Sequence, residues 1–448
     1  MKHTDVWQPY APTIEEPWTL ARVAHLHRRA GFGATWSELQ RDLRDGPGPS
    51  IDRFLHPGDP DPDLEARSRS LRDNAESDLR CLQAWWLHRM LFGSQPLREK
   101  LTLFWHDHFA TSVRKVQSLR SMAGQNDLLR RNALNRAGDL LREIGSDPAM
   151  LIWLDGGQSR IEHPNENYAR EFLELFTLGV GNYTERDVRE AARAFTGWKP
   201  DPSGAPAFRF EPGRFDADEK TFFGSVGRFD AGDIVRLTLD RPEAARFLCR
   251  KLYRFFISET APATEESIES LAAAMRDCDY SIEQVVATIL LSKLFFSPIA
   301  IRQRFLCPTE WTIGMLRALE LAPRQLRMLA LAETCERQGQ SLFQPPSVDG
   351  WAWGPAWLGS AAILERTNFA ARILWGSAER ALPEFDPTPW VQAKGASAEE
   401  LRSTLFQLTL QDDVSEDLRR QLETEPADAN GWRRSLHLLF SSAAAQMG

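Results

Sequence analysis

The segment 165–179 constrains the fold of this chain most strongly, because its apolar residues recur at the period of an α-helix. At about 100° per residue, one side of such a helix is apolar and consists of Tyr168, Ala169, Phe172, Leu173 and Phe176. The other side is polar and carries Asn167, Arg170, Glu171 and Glu174. If this side is solvated, the i,i+4 spacing predicts that Asn167 pairs with Glu171 and Arg170 with Glu174. The segment therefore predicts one amphipathic helix over 165–178, with Gly179 as its C-terminal stop.

The same period recurs along most of the chain and predicts a mainly α protein. The predicted helices cover residues 17–30, 36–44, 67–92, 96–111, 119–143, 165–178, 185–196, 231–257, 264–276, 281–295, 308–320, 324–336, 361–380, 397–410, 415–424 and 430–445. Thr184 and Asp187 are spaced as in a capping box, which is typical of the start of a helix.

Residues 200–230 break this pattern, because short aromatic runs alternate there with turn residues. They predict a small β-hairpin or meander inserted near 205–225. We therefore expect a multi-helix single large domain over 17–380 that contains the insertion. The prolines and glycine of 383–397 mark a boundary, and the helical segment 397–448 beyond it either packs on the same core or forms a separate module.

Charge and hydropathy exclude some classes of protein. The net charge is −8 and no long stripe of Lys and Arg exists, which argues against nucleic acid as a partner. No run of 18 apolar residues exists, so we expect no membrane span. Residues 1–7 lack the apolar stretch of a signal peptide, so the expected location is the cytoplasm. The five cysteines lack CxxC spacing, which argues against a structural zinc site.

The segment Phe104–Phe109 contains two histidines, His106 and His108, separated by one residue. On a strand both rings would share one face, as metal sites favour, but the flanking apolar residues indicate a helix. On a helix the two rings diverge by about 200°, so a joint metal site is not expected unless the helix breaks there. Each histidine is either a catalytic group in a pocket or a hydrogen-bonded core residue.

Two loops offer further candidates. Asp155 ends an apolar run and precedes two glycines, which suits either a catalytic carboxylate or a turn. The loop 343–357 is rich in Trp, Pro and Gly and suits either a pocket wall or a cap on the core. Asp349, Trp351 and Trp353 are its candidates for binding a substrate, beside Asn167 and Arg170 of the polar helix face.

Taken together, these segments resemble a bacterial family catalogued as domain of unknown function 1800. The resemblance covers roughly residues 20–375 and rests most on the HxHF and NENYARE motifs. The matching segments are 26–33, 104–109, 165–171, 190–198, 220–224, 251–256 and 348–351. The resemblance implies one family domain and carries no established activity.

Two functional hypotheses remain open at this point. In the first, the chain is a hydrolase acting on a carbohydrate or glycan-like small molecule, with Glu171, Glu174, His106, His108 and Asp155 as catalytic candidates. Its cofactor is unknown, and a divalent metal held by carboxylates and a histidine is one option. In the second, the chain is a non-catalytic carbohydrate-binding or assembly protein, and the polar helix face is a buried network that fixes packing. A di-metal helical bundle would need two Glu-x-x-His motifs, and the chain has no such pair.

Overall fold

The computed structural model describes residues 6–59, 61–200, 208–377, 384–394, 397–410 and 414–448. Helices dominate these ranges. The helices of the first part are α1 Leu20–Ala30, α2 Trp36–Asp45, α3 Pro47–Leu55, α4 Pro62–Asn74, α5 Leu79–Phe92, α6 Pro96–His108, α7 Val113–Val116, α8 Leu119–Arg131, α9 Ala137–Gly145, α10 Pro148–Trp153, α11 Glu166–Glu171 and α12 Glu185–Ala194. The fold is therefore mainly α, as the sequence predicts.

The second part of the chain continues in the same way. Its helices are α13 Ala231–Leu239, α14 Pro242–Phe256, α15 Glu265–Asp277, α16 Ile282–Leu291, α17 Pro308–Ala318, α18 Met328–Arg337, α19 Ser360–Trp375, α20 Pro387–Gln392, α21 Ala398–Leu410, α22 Glu416–Thr424 and α23 Ala429–Ser441. None of the described helices is both long enough and apolar enough to span a bilayer.

Three long helices predicted from the sequence are each divided in two. The prediction over 67–92 is interrupted before Asp78, which caps α5 by accepting the backbone N–H of Arg80. The prediction over 231–257 is divided because Pro242 cannot continue α13 and instead begins α14. The prediction over 119–143 is divided between α8 and α9, where Arg136 pairs with Ser281 in an isolated bridge. The capping box of Thr184 and Asp187 is confirmed at the start of α12.

The β insertion consists of two antiparallel hairpins. Strand β1, Trp198–Pro200, pairs with β2, Phe208–Phe210, and β3, Lys220–Phe222, pairs with β4, Ser225–Gly227. The insertion is thus wider than the predicted 205–225, of which residues 205–207 lie outside the described part. The tight turn of the second hairpin has positive φ at Phe223 and Gly224, the geometry that matches the twist of two paired strands.

Buried apolar residues form two clusters. The first core contains Phe104, Phe172 and Leu252, and the second core contains Val23 and Trp86. Helices α1 and α6 contribute to both cores and therefore lie between them. The C-terminal helices α21 and α23 place Leu405 and Leu436 in the second core.

Four buried charged side chains lie where the two cores meet, and we call them the junction cluster: Lys100, Glu259, Arg304 and Glu310. Glu310 pairs with Lys100 and, at 2.5 Å, with Arg304, whose Nε lies 3.3 Å from Glu259. Burial opposes the ionisation of Glu310, but Arg304 and Lys100 outweigh it and hold the pKa of this carboxyl well below its ordinary value. The cluster therefore joins α6, α17 and the end of α14 by charge rather than by apolar contact.

Removing one member of the junction cluster should be costly. We expect Glu310→Gln to lower the free energy of unfolding by about 3–5 kcal/mol, because two cations are then buried without their shared counter-ion. Urea denaturation measures this change. The control is Glu143→Gln, whose exposed pair with Arg131 should contribute no more than about 1 kcal/mol. Equal, small losses in both variants would contradict the assigned role.

A second buried acid makes stability depend on pH. Asp147 caps α10, accepts hydrogen bonds from the backbone N–H of Met150 and from Gln125, and is 4 % exposed. Burial raises the pKa of Asp147 to about 7, so the folded chain holds a proton that the unfolded chain releases above about pH 4. This carboxyl therefore lowers the stability of the fold as pH rises from about 4 to about 7.

Asp147→Asn should remove that dependence, because asparagine caps a helix equally well and does not titrate. Relative to the wild type, we expect the variant to gain stability between pH 4 and pH 8. The upper limit is about 4 kcal/mol, from roughly 1.4 kcal/mol for each pH unit between the two pKa values. Denaturation across this pH range measures the gain, and parallel curves for the two proteins would rule it out. Asp139→Asn, at an exposed position of α9, is the control.

Candidate functional site

The site is built at the C-terminal end of α6, where His106, Asp107 and His108 point to different neighbours. His106 is buried, and its Nε2 accepts the backbone N–H of Phe343 at 3.1 Å. Burial lowers the pKa of His106 to about 3, so this ring is neutral. The structure therefore confirms that the two histidines diverge on a helix, and His106 anchors the start of the loop 343–357.

His108 is held on both sides of its ring. Its Nε2–H donates to the carbonyl of Phe176 at 3.1 Å, and its Nδ1 accepts from Lys251 Nζ at 2.9 Å. Burial, and then the charge of Lys251, keep the pKa of His108 well below its ordinary value. In this arrangement both ring nitrogens are occupied, so His108 acts as a connector between α6, α14 and the segment 172–177.

The segment 165–178 is not one α-helix, contrary to the prediction. Helix α11 ends at Glu171, and Phe172–Thr177 form a π-helical turn, in which Leu178 N–H donates to Leu173 O. The carbonyls of this π-turn bind side chains from elsewhere, since Lys251 Nζ donates to Leu175 O at 3.2 Å and His108 to Phe176 O. Such turns are frequent at functional sites. The apolar stripe Tyr168, Ala169, Phe172, Leu173 and Phe176 is buried as predicted.

The predicted pairs along this helix are replaced by others. Arg170 does not pair with Glu174 but with both oxygens of Glu185, at 2.7 and 2.8 Å. Asn167 is exposed and donates to Asp155 Oδ2 at 3.5 Å rather than pairing with Glu171. Asp155, in a left-handed conformation, accepts from Lys115 at 2.9 Å. Asn167, Arg170 and Asp155 thus form surface pairs at the start of α11.

Asp107 holds the Trp-rich loop in place, and sequence reasoning missed it. Its carboxylate accepts the backbone N–H of Trp351 at 2.8 Å and the indole N–H of Trp353. Burial raises the pKa of Asp107 to about 6 against the effect of these donors. Gly350 has positive φ, and a Cβ there would collide with Asp107 Oδ1, so only glycine lets the loop approach this closely. The sequence feature that could have identified Asp107 is its position between His106 and His108.

Of the three tryptophans of this loop, the two candidates Trp351 and Trp353 are both covered at least in part. Trp351 is 6 % exposed, and its ring centroid lies 5.6 Å from that of His106. Trp353 is half-buried, with the guanidinium of Arg254 4.8 Å above its ring. They wall the site and position Asp349.

Three carboxylates at or beside the π-turn lie near enough for their charges to interact. Glu171 and Glu174 are half-buried, and Glu174 accepts the hydroxyl proton of Tyr183. Asp349 comes from the loop 343–357 and is exposed. Burial, followed by the charges of Glu174 and Asp349, raises the pKa of Glu171 above its ordinary value. The structure therefore brings together two helix carboxylates and one loop carboxylate.

Lys251 lies on the buried side of the π-turn, where it contacts His108 and the carbonyl of Leu175. Burial lowers the pKa of Lys251 to about 8, although the carboxylates of Asp107 and Asp349 favour its charge. At neutral pH it is mostly a cation. It links the buried histidine to the group of Glu171, Glu174 and Asp349, which we call the acidic rim. Sequence reasoning placed this lysine in a family motif but gave it no role.

The residues that could hold a metal are fewer than the sequence suggested. Among the described residues, no group of three or more His, Cys, Asp or Glu side chains is arranged to hold a metal ion. Both nitrogens of His108 already have partners, and Nε2 of His106 accepts a backbone hydrogen bond.

The hold of Asp107 on the loop can be measured directly. We expect Asp107→Asn to speed amide hydrogen exchange of residues 347–354 about 10- to 100-fold, because a hydrogen bond to a charged acceptor contributes about 1.5–3 kcal/mol. Hydrogen–deuterium exchange with mass spectrometry reports this change. The control variant Asp139→Asn should leave the exchange rates of the loop unchanged. Unchanged rates in Asp107→Asn as well would show that packing alone holds the loop.

The comparisons with known proteins agree with the spread of these motifs along the chain. A family described as "Protein of unknown function (DUF1800)" matches residues 25–447, which includes the C-terminal helices as well as the site. A search of curated proteins and a search of solved structures each find no significant match. Because the match spans nearly the whole chain, the chain belongs to the DUF1800 family.

Proposed function

We propose that this protein is a hydrolase that cleaves a carbohydrate or glycan-like substrate with a pair of carboxyl groups. The observation that carries the proposal is the setting of Glu171, which is half-buried and lies near Glu174 and Asp349. Because Glu171 is partly buried and both neighbours are acidic, its pKa is raised, so it retains a proton at a pH where an isolated glutamate has lost it. A carboxyl group kept protonated beside an ionised one is the arrangement used for glycoside hydrolysis.

The roles follow from where each group is held. Glu171 donates its proton to the oxygen of the leaving sugar as the bond from that oxygen to the anomeric carbon breaks. Asp349, from the loop 343–357, accepts a proton from water as the water oxygen bonds to the anomeric carbon. The proton taken by Asp349 then returns through solvent to Glu171, so the two carboxyl groups regain their starting states.

The surrounding side chains position these two acids. Tyr183 donates to Glu174, which fixes this carboxylate beside Glu171. Asp107 fixes the loop that carries Asp349 through Trp351 and Trp353. Substrate would lie along the acidic rim rather than stack on either indole ring, since the ring of Trp351 is buried and that of Trp353 is half-buried beneath Arg254.

The proposed setting is the cytoplasm, with a small-molecule or glycan substrate and no nucleic acid. One property supports the compartment and another the class of substrate. All five cysteines are free thiols, as is usual in a reducing compartment. The net charge of −8 disfavours a polyanionic substrate.

One observation favours the second candidate, a non-catalytic carbohydrate-binding or assembly protein. Asn167, Arg170 and Asp155 are engaged with partners of the same surface rather than directed at an open site. Under this alternative, Glu171→Gln would leave glycan binding unchanged, and no substrate would be turned over by the wild type.

Screening aryl glycosides and oligosaccharides for turnover tests the first candidate. On the substrate that is cleaved, we expect Glu171→Gln and Asp349→Asn each to lower kcat about 10²- to 10⁴-fold. The loss in Glu171→Gln should shrink for an aryl glycoside whose leaving group needs no proton, such as a dinitrophenyl glycoside. In the wild type, activity should fall as pH rises through the raised pKa of Glu171, and this alkaline limb should disappear in Glu171→Gln.

The matched control is Glu166→Gln, on the same helix and paired with Arg170, which should retain activity. Circular dichroism shows whether each variant is folded. Full activity in both Glu171→Gln and Asp349→Asn would refute the assignment.

A further inference from the structure

Lys251 is a half-buried amine whose hydrogen-bond partners are both uncharged. Its Nζ lies 2.9 Å from His108 Nδ1 and 3.2 Å from Leu175 O. Among the described residues, no carboxylate forms an ion pair with Lys251, although two of them act on its charge from farther away. The proposed hydrolysis gives this amine no role, so its own chemistry is open.

The buried lysines elsewhere in the described ranges are held differently. Each of them forms an ion pair with a carboxylate: Lys100 with Glu310, Lys220 with Asp216 and Lys394 with Glu320. A paired carboxylate favours the ammonium form, which has no lone pair and is not a nucleophile. The partners of Lys251 offer hydrogen bonds without that opposing charge.

The two partners also orient the amine. Nε2–H of His108 donates to Phe176 O, so Nδ1 of this neutral ring can only accept a hydrogen bond, as can the carbonyl of Leu175. A neutral amine has two N–H groups, and these two acceptors use both. The lone pair of Lys251 then takes the remaining tetrahedral direction, where it is left to bond with a ligand.

The surroundings bring the neutral form within reach at physiological pH. Burial, and to a smaller extent the charge of Arg254, lower the pKa of Lys251 to about 8, against the carboxylates of Asp107 and Asp349. At pH 7 about one tenth of this amine is therefore unprotonated, against well under about one hundredth of an ordinary lysine.

We propose that Lys251 is a nucleophile that condenses with the carbonyl group of a small, uncharged aldehyde to form an imine. Desolvation is one of the ways in which enzymes activate lysine for this reaction. The carboxylates of Asp107 and Asp349 disfavour an aldehyde that carries a negative charge. The proposal does not depend on the function proposed for Glu171 and Asp349.

The condensation needs no oxidant or reductant. The nitrogen lone pair bonds to the carbonyl carbon while the π pair of the C=O bond moves to the oxygen. The nitrogen then gives up its two hydrogens as protons and the oxygen takes up two protons from solvent. The C–O bond breaks, water leaves, and a C=N bond remains.

Reductive labelling with glycolaldehyde and sodium cyanoborohydride tests the proposal on the full-length protein. Cyanoborohydride adds hydride to the imine carbon and leaves a stable secondary amine, which peptide mass spectrometry assigns to a particular lysine. At pH 7 we expect Lys251 to be labelled at least about 10-fold faster than Lys293, because more of it is unprotonated. Lys293 is exposed, so access alone would give the opposite order.

Two controls use the same measurement. The ratio of the two rates should fall as the pH rises from 7 to 10, because Lys293 gains free amine over this whole range whereas Lys251 gains little above about pH 9. In protein unfolded in guanidinium chloride, the two lysines should be labelled at equal rates, because the fold sets the difference between them.

The charge of the aldehyde is tested with glyoxylate, which should label Lys251 more slowly than glycolaldehyde does, relative to Lys293. The proposal is overturned if folded Lys251 is labelled no faster than Lys293 at pH 7, or if their ratio is the same at pH 7 and pH 10. Faster labelling by glyoxylate would overturn the assigned class of aldehyde. Labelling requires no glycoside, so it can succeed or fail whether or not the protein is a hydrolase.

Discussion

The ion pair between Lys100 and Glu310 is the contact on which the arrangement of the two cores depends. Apolar packing alone does not fix how two clusters sit against each other, because it has little directional preference. The pair, extended by Arg304 and Glu259, can form in one relative position of α6, α17 and the end of α14. Arg29 supports it by donating to the carbonyls of Phe255 and Phe256, where α14 ends.

The candidate site rests against this junction. Arg304 lies 4.4 Å from the ring centroid of Phe255 and 5.9 Å from that of Trp353, so the cluster supports the loop that carries Asp349. The same buried charges that join the two cores thus give this loop a rigid base.

The sequence predicted what depends on neighbouring residues and failed where distant ones decide. The helical class, the capping box at Thr184, the buried stripe from Tyr168 to Phe176 and the divergence of His106 and His108 all follow from local spacing. Glu171, Glu174 and Asp349 were identified by residue type, and the structure places them together. Whether they are catalytic stays a prediction.

What was missed has partners far away in the chain. Asp107 owes its role to Trp351 and Trp353, and no local pattern reveals that pairing. Arg170 was assigned to Glu174 by helical spacing, but Glu185 presents both of its oxygens. The sequence predicted an α-helix as far as residue 178, but a π-turn follows Glu171. The carbonyls of this turn accept hydrogen bonds from Lys251 and His108, which are distant in the chain.

The π-turn has a consequence for how this segment tolerates changes in length. A π-turn contains one residue more than an α-helix needs over the same rise, so it is equivalent to a single-residue insertion in α11. Deleting one residue within 172–177 would let the backbone return to regular α-helical hydrogen bonding and would leave the segments on either side in nearly their present register. The backbone that now presents carbonyls to His108 and Lys251 would change course within this turn alone. The effect of a one-residue change in length is therefore confined to the buried side of the site.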